Sequence, residues 1–541
     1  MNSVLKKTVC ILLALALFVP AFASSVCAAS DVTPIVYVYG YRGVYVHRED
    51  GTFYTPIDED KYPDENADPN FLTNVVKELL PDLAKAVLTN DYDAYCAKAL
   101  ELLTPIYDEI RPNPDGTVPE NTDCGWSWNY NSINANPNAN TIYGYDWDTR
   151  LSPMDVADDL NDYIEAIKQK TGAGKVVLVS RCAGTEVAAA YLYKYQKPVG
   201  YEGIKKALFI ASTLKGYDYF ELIASGNVTI PADSLYRYTK FNDVLGAIDN
   251  AEVYEFIDST LGMLESTAGL KLTLSLVESI YAKIKDKLIS PFLKSFYGIS
   301  LGQVGAICDH YEEYKDYIFR EEGDKEKYSA IISKADDYHY NVQMNIETMF
   351  NEMNGSGVKV YIVAGYGEQA YPIGETSEYV GDQYGNIKDL TFGANMSKLT
   401  GTLSNEYIAS RVAAGCGRYI SPDSQVDAST CLFPDQTWIV KNLRHDFNGN
   451  DVLSLVYAVA RTDDITVNTL SAFPQFLNAK DDHSAFEPAK AVNENDINWD
   501  AYEEEAQQGS ANLLQKLVDF IVMLVSKISG LVRGILERVA A

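Results

Sequence analysis

The chain has 541 residues and a formal net charge of −30 at pH 7, with 75 acidic and 45 basic side chains. A chain this acidic offers no basic stripe to neutralise phosphates, which excludes a nucleic-acid-binding protein. Its length exceeds that of an average domain and allows a large core that carries insertions.

The first 29 residues have the pattern of a secretory signal peptide. Lys6 and Lys7 form a basic start, residues 9–18 are apolar but too few to cross a bilayer, and small residues follow at 23–29. The remaining chain is therefore predicted to be secreted or extracellular, and attachment to the cell surface stays open.

Short apolar runs that alternate with helical patterns predict an α/β protein, in which helices wrap a mostly parallel sheet. The predicted strands lie at 34–41, 141–147, 176–179, 206–212, 358–365 and 437–440. The apolar periodicity of residues 155–170 predicts a helix before the third strand.

A mostly helical segment, 215–350, separates two predicted core strands. Ligand sites in α/β sheets lie at the carboxyl ends of strands, where such insertions project. The segment is therefore predicted to be a cap or lid over the site, and a separate helical domain is the alternative.

The most informative stretch runs from Ser180 to Gly184, in the order Ser-Arg-Cys-Ala-Gly. It lies between a buried strand and a helix, as does the G-x-S-x-G nucleophile elbow of α/β-hydrolases, with cysteine in the place of serine. Cys182 is predicted to be an exposed nucleophile near the positive end of the helix dipole. Backbone N–H groups of Ala183 and Tyr41 are predicted to form an oxyanion hole.

A catalytic base must come from five histidines, at positions 47, 310, 339, 445 and 483. His445 is the preferred candidate because it follows a predicted strand and a short turn, the usual setting of the last triad member. Asp423, Asp427 and Glu368 are the candidate acids.

The chain resembles α/β-hydrolases of the lecithin:cholesterol acyltransferase and lipase type. Four segments carry the resemblance: Tyr39 to Tyr41 (commonly H-G-F), Tyr145 to Trp147, the elbow, and the acid-to-histidine segment 419–447. The family pattern G-D-G-x-V, followed by a serine, aligns with residues 422–429, which implies that Asp423 is the acid.

The resemblance also implies a division of the chain. Residues 30–214 and 351–500 would form two halves of a hydrolase core, around the helical insertion 215–350. The chain departs from the family at three positions. Cys182 replaces the nucleophilic serine, and Arg181 and Tyr39 each replace a histidine.

Six of the eight cysteines lie outside the predicted signal peptide. Cys416 can pair with Cys431, and Cys96 can pair with Cys124, but sequence alone decides neither pairing. We predict no metal and no other cofactor, because the chain has no C-x-x-C motif and no tight His/Cys cluster.

Residues 501–541 are predicted to form an acidic linker and a long amphipathic helix, because charged residues interrupt the apolar run at 513–539. One interpretation is a helix that docks on protein. The other is peripheral contact with a membrane surface.

These features predict a secreted enzyme that uses Cys182, His445 and Asp423 for hydrolysis or acyl transfer. Its expected substrate is a small-molecule ester, thioester or amide, with a lipid-like compound as one option. The alternative is a catalytically inactive protein of the same scaffold that serves in binding or surface interaction.

Overall fold

A computed structural model describes residues 32–41, 45–47, 53–54, 79, 82–83, 85–86, 89–108, 110–231, 234, 279–296, 310–445, 449–480 and 482–491. The predicted signal peptide (1–29), the predicted linker and terminal helix (501–541) and most of residues 232–278 lie outside this part. Among the described residues, no helix combines the length and apolar character needed to cross a membrane.

The strands of the described chain are β1 (Ile35–Val38), β2 (Tyr45–His47), β3 (Phe53–Tyr54), β4 (Thr122–Asp123), β5 (Ile142–Tyr145), β6 (Val176–Arg181), β7 (Ile204–Ile210), β8 (Lys359–Tyr366), β9 (Asn395–Met396), β10 (Val426–Asp427), β11 (Thr437–Lys441), β12 (Phe476–Ala479) and β13 (Phe486–Pro488).

The α-helices of the described chain are α1 (Asp93–Asp108), α2 (Pro153–Thr171), α3 (Gly184–Tyr191), α4 (Asp218–Ala224), α5 (Ser290–Phe296), α6 (Tyr311–Ile318), α7 (Asp324–Lys327), α8 (Ser329–Asn341), α9 (Ile346–Gly355), α10 (Ile387–Leu390), α11 (Asn405–Ala413) and α12 (Asn450–Arg461).

Eight strands form one sheet, in the order β13-β12-β11-β8-β7-β6-β1-β5. All neighbours from β12 to β5 are parallel, and only β13 runs antiparallel at the edge. Each predicted strand is present in this sheet, which confirms the α/β class. Because the strands are parallel, their carboxyl ends meet along one edge, where ligand sites of such sheets lie.

The sheet is buried on both faces, as expected for parallel strands that are apolar throughout. Alternate residues of each strand enter two core clusters. Helices α2, α3 and α9 cover one face through residues such as Leu160, Val187 and Phe350. Helix α12 covers the other face through Leu455 and Val459.

Helix α2 corresponds to the predicted helix of 155–170 and begins two residues earlier and ends one residue later. Ser152 caps its N-terminus by accepting a hydrogen bond from the N–H of Met154, and Pro153 occupies the first turn. Gly172 ends it with a left-handed φ of 71°.

Helices α4 and α6 of the insertion pack on the segment that follows β8. Tyr219 of α4 and Tyr314 of α6 share a core cluster with Tyr371 and Tyr384. The predicted boundary at residue 350 falls inside α9, which packs on the sheet through Met349, Phe350 and Met353. The last part of the predicted insertion therefore belongs to the core of the sheet.

The cysteines of the described chain are all free thiols: Cys96, Cys124, Cys182, Cys416 and Cys431. Neither of the two pairings that the sequence allowed is formed. Cys96 and Cys431 are buried, where cysteine serves as a small apolar side chain.

A glycine fixes how closely α3 can approach the end of β1. A Cβ atom at Gly184 would lie 2.2 Å from the carbonyl oxygen of Tyr39 and 2.6 Å from that of Val38. We expect Gly184→Ala to lower the free energy of unfolding by about 1–3 kcal/mol, because backbone cannot move aside as a side chain can. Denaturant unfolding measures this change.

The matched control is Gly174→Ala, since a Cβ there would meet no atom within 4 Å. Its stability should change by less than about 0.5 kcal/mol. Equal destabilisation by the two substitutions would show that the packing at Gly184 is not tight.

Candidate active site

Cys182 lies in a strained turn between β6 and α3. Its φ is 49°, in the left-handed region that non-glycine residues rarely adopt. The N–H of Cys182 donates to the carbonyl of Ile210 at the end of β7, over 3.1 Å. The turn therefore has the strand–turn–helix geometry that presents a nucleophile above the edge of a sheet.

The loop after β1 passes directly over Cys182. A Cβ at Gly40 would lie 2.9 Å from Cys182 Cβ and 3.5 Å from its Sγ. Trp147 holds this loop, since its indole N–H donates to the carbonyl of Tyr39 over 3.0 Å. Residues predicted to form the oxyanion hole, Tyr41 and Ala183, thus flank the thiol from two different elements.

The ring of Tyr41 is anchored beside a buried ion pair. Arg150 is 3% exposed and binds the Asp148 carboxylate with two nitrogens. Burial raises the pKa of Tyr41, and a hydrogen bond to Thr149 opposes that shift. The loop that carries the predicted Tyr41 donor is therefore fixed at both its backbone and its side chain.

His445 lies four residues after β11 and is 3% exposed. Its side chain forms a hydrogen bond with Cys182, so the structure brings the predicted nucleophile and base together. The loop approaches β8 closely, since a Cβ at Gly365 would lie 2.0 Å from the carbonyl oxygen of Leu443. Glycine at this position lets the histidine loop reach the thiol.

The acid that contacts His445 is Asp382, which the sequence analysis did not consider. His445 Nδ1 lies 2.7 Å from Asp382 Oδ2, and the backbone N–H of His445 donates to the Asp382 carbonyl. The other carboxylate oxygen accepts the N–H groups of Tyr384 and Gly385, at 3.1 and 2.9 Å. The carboxylate is thus fully hydrogen-bonded and fixes one tautomer and one orientation of the imidazole.

The predicted pairing of Asp423 with His445 is corrected by this geometry. Asp423 Oδ2 accepts from Lys441 Nζ and from the Tyr366 hydroxyl, both over 2.9 Å, and Oδ1 accepts from Ser421. Asp423 therefore ties its own turn to the ends of β8 and β11. The motif that favoured Asp423 describes a local turn. The contact with His445 is made instead by the separate loop that carries Asp382.

The two rival acids do not contact His445 either. Asp427 is buried and accepts from Arg411 and Tyr407. The backbone N–H of Glu368 donates to the carbonyl of Gly381, so Glu368 supports the loop of Asp382 without being the acid. A Gly-Asp step at 381–382, on the carboxyl side of β8, was the available sequence signal.

The charges of the site favour a thiolate–imidazolium pair. Burial alone would raise the pKa of the Cys182 thiol, but the charge and hydrogen bond of His445, with Arg181 and the Ala183 N–H, hold it below its usual value. Burial also opposes the imidazolium, yet the Asp382 carboxylate and then Cys182 raise the pKa of His445 to about 10.

Arg181 connects the nucleophile to the base. Its guanidinium donates to the backbone carbonyl of His445 while its charge lowers the pKa of the adjacent Cys182. A histidine is usual at this position in the resembling family, and here the longer cation spans from the end of β6 to the histidine loop.

A second buried carboxyl group, Glu186, lies one helical turn after Cys182. Thr213 donates to Glu186 Oε1 over 2.6 Å, and Oε2 has no hydrogen-bond partner among the described residues. Burial, and then the negative charge of Cys182, raise the pKa of Glu186 well above its usual range. This shift favours the protonated form of Glu186 and so disfavours a second buried anion beside the thiolate.

Each of the other histidines has its own partners. His47 pairs with Asp123 at 3.1 Å, His310 with Glu221, and His483 with Asp451 at 3.4 Å. His339 stacks on Tyr311 with ring centroids 3.9 Å apart. Among the described residues, no three His, Cys, Asp or Glu side chains form a group suited to a metal ion.

Buried tyrosine rings pack around His445. Tyr384 lies 4.8 Å from the His445 ring, and Tyr217 meets that ring edge-on at 5.6 Å. A small pocket next to Tyr384 is lined by further tyrosine rings and also by the polar side chains of Thr376, Ser377 and Asn386. Trp126 packs edge-on against Tyr145, with ring centroids 5.1 Å apart.

No protein-family model matches the chain, and no curated protein matches it. Among solved structures, it is similar to the structure titled "The crystal structure of Tle4-Tli4 complex", with 12% sequence identity, coverage of 62% of this chain and 75% of the other, and a TM-score of 0.23. A likeness this weak carries no argument about function.

The geometry predicts different effects for the two aspartates. We expect Asp382→Asn to move the pH midpoint of Cys182 alkylation upward, because the imidazolium loses its carboxylate and stabilises the thiolate less. Asp423→Asn should leave that midpoint unchanged but lower the free energy of unfolding by about 1–3 kcal/mol, since Lys441 loses its buried partner. Iodoacetamide labelling with peptide mapping measures the first effect.

Labelling is selective for Cys182 because the other described thiols react slowly or can be removed. Burial raises the pKa values of Cys96 and Cys124 to about 11 and that of Cys431 to about 12, so these thiols react slowly near neutral pH. A Cys416→Ala background removes the remaining described thiol. An upward shift for Asp423→Asn, with none for Asp382→Asn, would restore Asp423 as the acid.

Proposed function

We propose that the protein is an enzyme of the α/β-hydrolase type that uses Cys182 as a nucleophile, His445 as the base and Asp382 as the acid. The observation that carries the proposal is the alignment of these three groups, with Cys182 in a left-handed turn and His445 between Cys182 and Asp382. Their chain order is also that of this class of enzyme: nucleophile, acid, histidine.

The proposed reaction begins with attack of the Cys182 thiolate on a carbonyl carbon. The backbone N–H groups of Ala183 and Tyr41 would stabilise the oxyanion, each such donor contributing about 3 kcal/mol. The His445 imidazolium then gives its Nε2 proton to the leaving group, whose bond to carbon breaks, and an acyl-thioester remains.

The substrate class that fits is an ester, thioester or amide. The rings of Tyr217 and Tyr384 that pack on His445 support an apolar or lipid-like group over a charged one. The acyl-thioester can pass its acyl group to water or to a second nucleophile, so hydrolysis and acyl transfer share this first step.

The test is intact-mass spectrometry of the purified protein after brief exposure to a panel of activated acyl esters. We expect a mass increase of one acyl group in the parent and none in Cys182→Ala. The increase should disappear in His445→Ala at neutral pH, because the thiol then lacks its base.

Cys416→Ala is the matched control, since it removes a half-buried free thiol outside the site. It should be acylated as the parent is. Acylation that persists in Cys182→Ala, or its absence from the folded parent with reduced Cys182, would favour a binding protein that retains the scaffold without the reaction.

A further inference from the structure

The peptide bond after the nucleophile carries one of the two predicted oxyanion donors. The carbonyl of Cys182 and the N–H of Ala183 belong to one planar unit, in which they point in opposite directions. In the structure, the N–H of Ala183 donates to the Cys182 sulfur. The groups that hold the Cys182 carbonyl therefore set the direction of this donor.

Two buried threonines hold the carbonyl of Cys182. The backbone N–H and the hydroxyl of Thr185 donate to it, over 2.9 and 2.7 Å. The hydroxyl of Thr213, on the segment that follows β7, lies 3.3 Å from the same oxygen. Thr185 and Thr213 are 0% and 3% exposed, respectively, so water does not compete for these contacts.

The direction of the Thr185 hydroxyl is fixed by its partners. Thr213 donates its backbone N–H to Thr185 Oγ1 over 3.2 Å. An N–H can only donate and a carbonyl can only accept, so the Thr185 proton points to the Cys182 carbonyl. The contact with Thr213 thus contributes to the orientation of the Cys182–Ala183 peptide.

Glu186 anchors Thr213 in turn. The Thr213 hydroxyl donates to Glu186 Oε1 over 2.6 Å, which fixes the rotamer of the threonine. Burial and the negative charge of Cys182 raise the pKa of Glu186 and favour its protonated form. The carboxyl group can therefore hold Thr213 without adding a charge beside the thiolate. We call Thr185, Thr213 and Glu186 the elbow network.

The burial of Glu186 has a cost that packing does not explain. The residue is 1% exposed, and its Oε2 has no hydrogen-bond partner among the described residues. A buried polar group left without a partner lowers the free energy of unfolding. Departures of this kind are expected at functional sites, and this one lies a single helical turn from the nucleophile.

We propose that the elbow network consists of positioning residues that orient the Cys182–Ala183 peptide, so that the Ala183 N–H points at the oxyanion. This inference rests on the proposed function and adds residues that act on its transition state. As the C–S bond forms, the electron pair of the substrate C=O bond moves to oxygen, to which the N–H donates. A peptide fixed at its carbonyl needs no reorganisation at that moment.

The test compares two reactions of the same thiol, in the Cys416→Ala background and at one pH. Acylation by p-nitrophenyl acetate forms an oxyanion, whereas alkylation by iodoacetamide forms none. Intact-mass spectrometry gives both rates. We expect Thr185→Val to lower the ratio of acylation to alkylation about three- to tenfold, the effect of one lost hydrogen bond.

Two substitutions test the far end of the network. Glu186→Leu should lower the ratio in the same direction, and it preserves the test where Thr185→Val does not fold. Glu186→Gln should stay close to the parent, because an uncharged amide offers the same oxygen to Thr213. The double variant Thr185→Val/Glu186→Leu should fall no further than Thr185→Val, since Glu186 acts through Thr185.

Thr171→Val is the matched control. It removes a buried hydroxyl that donates to the carbonyl of Ile167 over 2.7 Å, at the end of α2, and should keep the parent ratio. A substitution that only disturbs the thiol slows acylation and alkylation alike, so the ratio separates positioning of the oxyanion donor from a structural role.

An unchanged ratio in Thr185→Val would overturn the inference and leave the proposed function intact. An unchanged ratio in Glu186→Leu alone would overturn the part assigned to Glu186. A parent that is alkylated at Cys182 but never acylated would overturn both the inference and the proposed function.

Discussion

The close approach of two backbone segments is the constraint on which the site depends. The start of α3 lies against the carbonyl groups of Val38 and Tyr39, at a distance that only glycine at position 184 permits. This contact bends the chain at Cys182 into a left-handed conformation and brings the loop at Gly40 over the thiol. Backbone strain of this kind persists only where the surrounding structure over-determines it, and here two parallel strands and a helix do so.

Electrostatics then determine which groups of the buried site carry charge. Cys182 and Asp382 are compensated by His445 and by Arg181, so the cluster contains two anions and two cations in contact or hydrogen-bonded. A third anion would have no cationic partner here, and burial with the charge of Cys182 raises the pKa of Glu186 well above its usual range. Removing one member of such a cluster leaves an uncompensated buried charge. The loss of folding free energy is then larger than the loss from breaking an exposed ion pair. Arg181 adds to this balance, because its charge lowers the pKa of Cys182 while its guanidinium binds the backbone carbonyl of His445.

The sequence predicts the parts of the site that depend on local pattern. The strand, turn and helix around Cys182 can be recognised from small residues at 180 and 184, and His445 from its place after a strand. The acid cannot be found in this way, because the loop of Asp382 reaches His445 through contacts with Glu368 and Gly365, both on or after β8. Alignment with the family motif favoured Asp423, but the carboxylate of Asp423 accepts a hydrogen bond from Lys441 instead. Tyr217 and Glu186 belong to no sequence motif. Only the folded structure places the Tyr217 hydroxyl at His445 and buries Glu186 near Cys182.

The helical insertion contacts His445 through the side chain of Tyr217. Tyr217 directly precedes α4, and rings of the cluster that packs on α4 also contact His445. A shift of α4 would therefore move a hydroxyl at His445 Nε2, whereas Cys182 and Asp382 are held by the sheet and its loops. The sheet and its loops position Cys182, His445 and Asp382, whereas the insertion contributes the Tyr217 hydroxyl beside His445. A substitution in α4 can therefore move the Tyr217 hydroxyl without moving the contact between His445 and Asp382, because the two depend on different elements.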